Sequence, residues 1–91
     1  MAVGDNGKIL TSLNGSLWTA QSSGTSQNLN DVAGSGSQFV VVGLNGTILT
    51  SPNGWTWTTQ HSGTSEYLSG VAGSGTQFVA VGLHGTILTS P

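Results

Sequence analysis

Apolar residues come in short bursts along this chain, and polar turn residues separate them. Phe39-Val40-Val41-Val42 is apolar at four consecutive positions. Leu68-Ser69-Gly70-Val71-Ala72 leads to Gly73-Ser74-Gly75, then to Gln77-Phe78-Val79-Ala80-Val81. Leu83-His84-Gly85 separates that run from Thr86-Ile87-Leu88-Thr89. Further back, Thr47-Ile48-Leu49-Thr50 passes through Pro52-Asn53-Gly54 into Trp55-Thr56-Trp57-Thr58-Thr59. Each burst is β-branched or aromatic and bounded by Gly, Asn or Pro, which predicts strands. Asn6-Gly7, Asn14-Gly15, Asn45-Gly46 and Asn53-Gly54 predict hairpin turns, because Asn and Gly tolerate positive φ. No stretch repeats its apolar residues at a helical period. The expected class is all-β.

The bursts recur. Val3, Val42 and Val81 lie 39 residues apart, as do Gly7, Gly46 and Gly85, and Ser12, Ser51 and Ser90. Trp18 pairs with Trp57, Leu29 with Leu68, and Phe39 with Phe78. Residues 1–39 and 40–78 share about 25 identities. Pro91 falls in register with Pro52 and Leu13. Four short strands in about 40 residues, repeated, form the pattern of a β-propeller blade. A run apolar at successive positions suits a sheet covered on both faces, whereas a strand wet on one face would alternate. The repeat divides the chain into a partial blade at 1–28 (third and fourth strands), a complete blade at 29–66, and a partial blade at 67–91 (first to third strands). Met1-Ala2-Val3-Gly4 aligns with the middle of a second strand, as in a fragment, an engineered unit or a chain that shares blades with its copies. The C-terminal blade lacks a fourth strand, and Leu17-Trp18-Thr19-Ala20-Gln21 is a free one.

Ser51-Pro52-Asn53-Gly54-Trp55-Thr56-Trp57 resembles an Asp-box, the S-x-D-x-G-x-T-W hairpin of BNR and sialidase-type propellers. Asn53 stands where the motif has Asp, and the segment is one residue shorter. Ser12-Leu13-Asn14-Gly15-Ser16-Leu17-Trp18 is a more degraded copy. The wider pattern from Leu68 to Ser90 is similar to bacterial propellers of the photosystem II assembly-factor type. The resemblance covers the whole chain and implies structural roles for Asn14, Asn53, Trp18 and Trp57. The two Trp are expected in equivalent, largely buried places on outer strands. Sialidases of this fold hold their substrate with an arginine cluster, and this chain has no arginine.

Composition narrows the function further. The charged side chains are Asp5, Lys8, Asp31 and Glu66. One Lys without Arg cannot neutralise a run of phosphates, which excludes nucleic acid as a partner and a polybasic membrane patch with it. No apolar run approaches the roughly 20 residues of a membrane span, and no signal peptide is expected, since Met1-Ala2-Val3-Gly4 runs directly into repeat sequence. A low-charge, Ser/Thr/Gly-rich β chain is commoner outside the cell. Without cysteine, disulfides cannot staple the chain, and oligomerisation is the remaining common means.

Asp5, Asp31 and Glu66 occupy non-equivalent repeat positions, which reads as solvated turn residues rather than the carboxylate pair of a glycosidase. His61 and His84 are singletons, standing where the neighbouring copy has Ser22 and Asn45. No enzyme, metal or cofactor is expected. In a meander, the turns at Asp5-Asn6, Leu44-Asn45 and Leu83-His84 share one end with the connections from Ser22 to Asn28 and from His61 to Tyr67. Loops at one end of such a fold are the usual ligand site. The candidate ligand-binding residues are Asn45, Trp55, Glu66, Tyr67 and His84. Aromatic faces beside neutral hydrogen-bonding groups suit a neutral glycan. Two functions follow: a non-catalytic propeller fragment that self-assembles into a symmetric scaffold, trimer or tetramer favoured, or a lectin-like carbohydrate-binding propeller.

Overall fold

A computed structural model describes residues 1–12, 14–35, 38–74 and 77–90. The chain is all-β, in three antiparallel sheets taken in sequence order. The first holds β1 (Ala2–Val3), β2 (Ile9–Thr11) and β3 (Thr19–Gln21). The second holds β4 (Leu29–Ser35), β5 (Gln38–Gly43), β6 (Ile48–Ser51) and β7 (Thr58–Gln60). The third holds β8 (Leu68–Ser74), β9 (Gln77–Gly82) and β10 (Ile87–Ser90). Each sheet is a simple meander, with neighbours in sequence paired in space.

Turns with two left-handed residues join β1 to β2, β5 to β6 and β9 to β10. Asn45 (φ 57°) and Gly46 (φ 70°) are both left-handed, as a type I′ hairpin requires. Asn6 (φ 60°) and Gly7 (φ 74°) repeat this, and His84 (φ 59°) with Gly85 (φ 73°) repeats it again. Gly46 has a second constraint, because a Cβ there would lie 1.9 Å from the Thr64 carbonyl oxygen. Gly7 faces Thr25 in the same way, whereas at Gly85 nothing lies within 4 Å.

The sheets stack face to face, and the middle one is covered on both sides. Val41 and Leu49 point toward the first sheet and join Ile9 and Leu29 in one buried cluster, edged by Met1, Val3, Val32 and Trp57. Val40 and Val42 point the other way and join Leu68, Phe78 and Ala80, edged by Ala33, Ile48, Val71 and Leu88. Successive valines thus serve opposite cores, which is the physical reason for their unbroken apolar run. The outer face of the third sheet is uncovered: Val79, Val81 and Ile87 are 37%, 42% and 68% exposed.

β4 and β8 are the closest contact between the second and third sheets. Each carries a register shift, between Leu29 and Asp31 and between Leu68 and Gly70. The irregularity turns Asn30 and Asp31 across the gap. Asn30 Nδ2 donates to the Leu68 carbonyl at 2.8 Å, and Val71 N–H donates to Asp31 Oδ2 at 2.9 Å. Asp31 is therefore a half-buried strand residue that ties two sheets together, not the solvated turn residue its charge suggests.

Three expected features are corrected here. The fourth strand of the middle sheet begins at Thr58, so Trp55, Thr56 and Trp57 belong to the preceding hairpin. The first sheet has β1 in the second-strand position with which Met1–Gly4 aligns, and β3, expected as a free fourth strand, pairs with β2 of its own chain. Strand β8 extends through Gly73 and Ser74, where a turn was expected; Gly75 lies outside the described residues, as do Leu13 and Pro91.

The tryptophans are also less buried than expected. Trp57 is half-buried at the edge of a core cluster, and Trp18 is 47% exposed. Trp57→Ala is expected to cost about 2–3 kcal/mol, below the range for a full core Trp, and Trp18→Ala about 1 kcal/mol. Urea unfolding of the two variants checks the order.

Candidate functional site

The hairpins between third and fourth strands are built by side chains. Ser51 Oγ accepts from the N–H groups of Asn53 (3.2 Å) and Gly54 (2.7 Å). Asn53 Oδ1 accepts from Trp55 N–H (2.8 Å) and Thr56 N–H (3.0 Å). Trp57 Nε1 closes the loop by donating to the Gly54 carbonyl at 3.1 Å. The first copy repeats the network with Ser12, Asn14 and Trp18, the last donating to Gly15 at 3.2 Å. Asn14 and Asn53 thus satisfy backbone donors rather than supplying the left-handed residue of the turn; that conformation falls to Gly15 (φ 79°) and Gly54 (φ 86°). The same hairpin forms around Ser16-Leu17 and around Trp55-Thr56, so neither pair is needed to make it.

The expected ligand residues divide between two ends of the molecule. Asn45, Glu66, Tyr67 and His84 gather at the end carrying the turns Asn6-Gly7, Asn45-Gly46 and His84-Gly85. There the polar groups bond to each other. His84 Nδ1 meets Glu66 Oε1 at 2.6 Å, and one repeat earlier Asn45 Nδ2 donates to Gln27 Oε1 at 2.9 Å. In the first sheet Asn6 N–H donates to Asn28 Oδ1 at 2.9 Å. Each pair pins a turn to the connection beside it. The His84–Glu66 contact lies in water, with 78% and 38% of the side chains exposed, so it adds little stability. Among the described residues, no three His, Asp or Glu side chains gather as a metal site would need.

Trp55 lies at the opposite end, in the Ser51–Asn53 hairpin, away from Tyr67 and the amide pairs. It borders a cleft of about 550 Å³ between the first and second sheets. Met1, Leu17 and Phe39 supply apolar walls, and Asn14 and Asn53 supply polar edges. A second cleft, about 620 Å³, opens between the second and third sheets and includes His61, Val40 and Phe78 in its lining. Both clefts lie toward the outer strands, away from the β1–β4 and β4–β8 contacts where the sheets meet. The sequence did not point to Met1 and Leu17 as cleft residues. Leu17 stands opposite Thr56 in the repeat, and an apolar residue in a degraded copy carries no signal by itself.

Compared with known proteins, the chain matches no family model, no curated protein and no solved structure.

Proposed function

We propose that the chain is a non-catalytic β-propeller fragment that self-assembles, head to tail, into a closed symmetric ring serving as a structural or interaction scaffold. One observation carries the reading: the uncovered face of the third sheet is a repeat copy of faces that already pack inside the chain. Val79, Val81 and Ile87 stand where Val40, Val42 and Ile48 stand one repeat earlier. Those earlier residues meet Phe78, Ala80 and Leu88 of the following sheet. Two repeats earlier stand Met1, Val3 and Ile9, which meet Val41 and Leu49 of the middle sheet. The third sheet of one copy therefore offers the middle sheet of another the cover that β1 and β2 give it within one chain. A contact between different faces propagates until the rotation closes, and sheets that meet at their inner strands and splay outward supply such a rotation.

The strands add a second reason. Among the described residues no fourth strand joins β8-β9-β10, which leaves the β10 edge open, and open edges recruit partners. Residues 87–90 (Ile-Leu-Thr-Ser) repeat residues 9–12. β3 pairs with β2 through Ile9–Gln21, Leu10–Ala20 and Thr11–Thr19. The same partners are available as Ile87, Leu88 and Thr89 on a neighbouring copy. Transfer of β3 onto that β10 completes a four-stranded sheet. It contributes two sheets per chain, so a trimer or tetramer gives about six or eight blades, within the common range.

Native mass spectrometry at micromolar concentration tests the proposal. A single closed species of three or four 9.2 kDa chains is expected. A stable monomer at that concentration overturns it.

A further inference from the structure

We propose that the cleft between the first two sheets binds a neutral saccharide, with the Trp55 indole as the stacking platform. Four observations converge, none of which depends on ring assembly. The first is that Trp55 is spare. Its repeat mate is Ser16, and the same hydrogen-bonded hairpin forms around either residue. The residue is 64% exposed, so it does not serve the core.

The second is the contrast among the indoles. Trp18 and Trp57 donate Nε1–H to a hairpin carbonyl, whereas Trp55 Nε1 has no acceptor among the described residues. An aromatic with an apolar face and a free polar tip suits an amphipathic ligand.

The third is the polar rim. Asn14 and Asn53 use Oδ1 to hold their hairpins, which fixes both side chains and leaves each Nδ2 without an acceptor among the described residues. These are pre-positioned neutral donors for hydroxyl oxygens. At the other end of the molecule Asn45 instead spends its Nδ2 on Gln27 Oε1.

The fourth is charge and size. No charged side chain lines the cleft, and its volume of about 550 Å³ lies within the range of small-molecule sites. Its side chains offer a charged ligand no counter-ion; a sugar needs an apolar face for its C–H groups and neutral partners for its hydroxyls. The half of the cleft carried by the middle sheet, Trp55, Asn53 and Phe39, persists if a neighbouring copy replaces Met1 and Thr11 with its equivalent Val79 and Thr89.

The test is an NMR titration of the ¹⁵N-labelled full chain, following its three indole N–H signals. Maltose, cellobiose, lactose and N,N′-diacetylchitobiose are each added to about 50 mM, enough to register a millimolar Kd. At least one sugar is expected to shift the Trp55 signal while those of Trp18 and Trp57 stay in place. Trp55→Ser, which installs the residue of the other repeat, is expected to weaken that binding at least tenfold with an unchanged oligomeric state. The proposal fails if no sugar moves the Trp55 signal, or if the binding persists in Trp55→Ser. It fails equally if Trp55→Ser changes the oligomeric state, since the indole then belongs to a contact between copies.

Discussion

A chain carrying both Val81→Lys and Ile87→Lys is expected to sediment as a monomer under conditions where the unchanged chain forms its closed ring. Both residues lie on the uncovered face of the third sheet. Their repeat mates Val42 and Ile48 belong to a core between sheets, which indicates the burial they would reach against another copy. Burying one such side chain contributes about 1.5–3 kcal/mol. The substitution forfeits that for two residues and adds two desolvated ammonium groups per contact. A loss of about 4–6 kcal/mol weakens each contact on the order of 10³- to 10⁴-fold. Within one chain neither side chain supports a neighbouring sheet, so the monomer keeps its β circular dichroism. Thr59→Lys, on an exposed fourth-strand position, serves as a control and leaves the ring intact. Assembly by the double variant with unchanged affinity would refute head-to-tail stacking through this face.

Gly85→Ala is expected to abolish ring formation, while Gly7→Ala is expected to leave the ring standing. In the single chain the order is reversed. Gly7 sits against Thr25, and an added Cβ would fall 1.9 Å from its carbonyl oxygen. Around Gly85 there is open space, so only the left-handed backbone, φ +73°, penalises the substitution, by about 1–2 kcal/mol. If β3 moves onto the β10 of a neighbour, its following connection carries Ser23 and Thr25 along. They then seat against the neighbour's Gly85, and Gly7 is released. Gly46→Ala keeps its clash with Thr64 in either arrangement and serves as the destabilised reference. Size-exclusion profiles of the three variants separate the cases. A ring that tolerates Gly85→Ala and loses its first sheet with Gly7→Ala is closed without strand exchange.

The strands were legible in the sequence where apolar periodicity and turn chemistry agreed. Val40, Val41 and Val42 announced a sheet buried on both faces, and Asn45-Gly46 announced a left-handed hairpin, because each depends on a local rule. Trp55-Thr56-Trp57 misled for the opposite reason. Aromatic and β-branched residues read as strand, but Ser51 Oγ and Asn53 Oδ1 capture four backbone N–H groups between them. That holds the chain out of the ladder until Thr58. Asp31 misled because its charge suggests water, whereas its partner is a backbone N–H forty residues away, at Val71. The candidate site was half legible: the unmatched Trp55 could be seen by aligning the copies. Its separation from Tyr67 could not, because both stood out by the same rule while the chain reverses direction between them.

Asn30 and Asp31 join the second sheet to the third by two hydrogen bonds. One repeat later the same places hold Ser69 and Gly70, which cannot reach across in that way. In the proposed ring, seams fastened by polar rivets would therefore alternate with seams held by apolar contact alone. The plain seams are fault lines, spaced once per chain. Under dilution or force the ring would part there first, shedding or admitting whole subunits while each fastened pair of sheets stayed together.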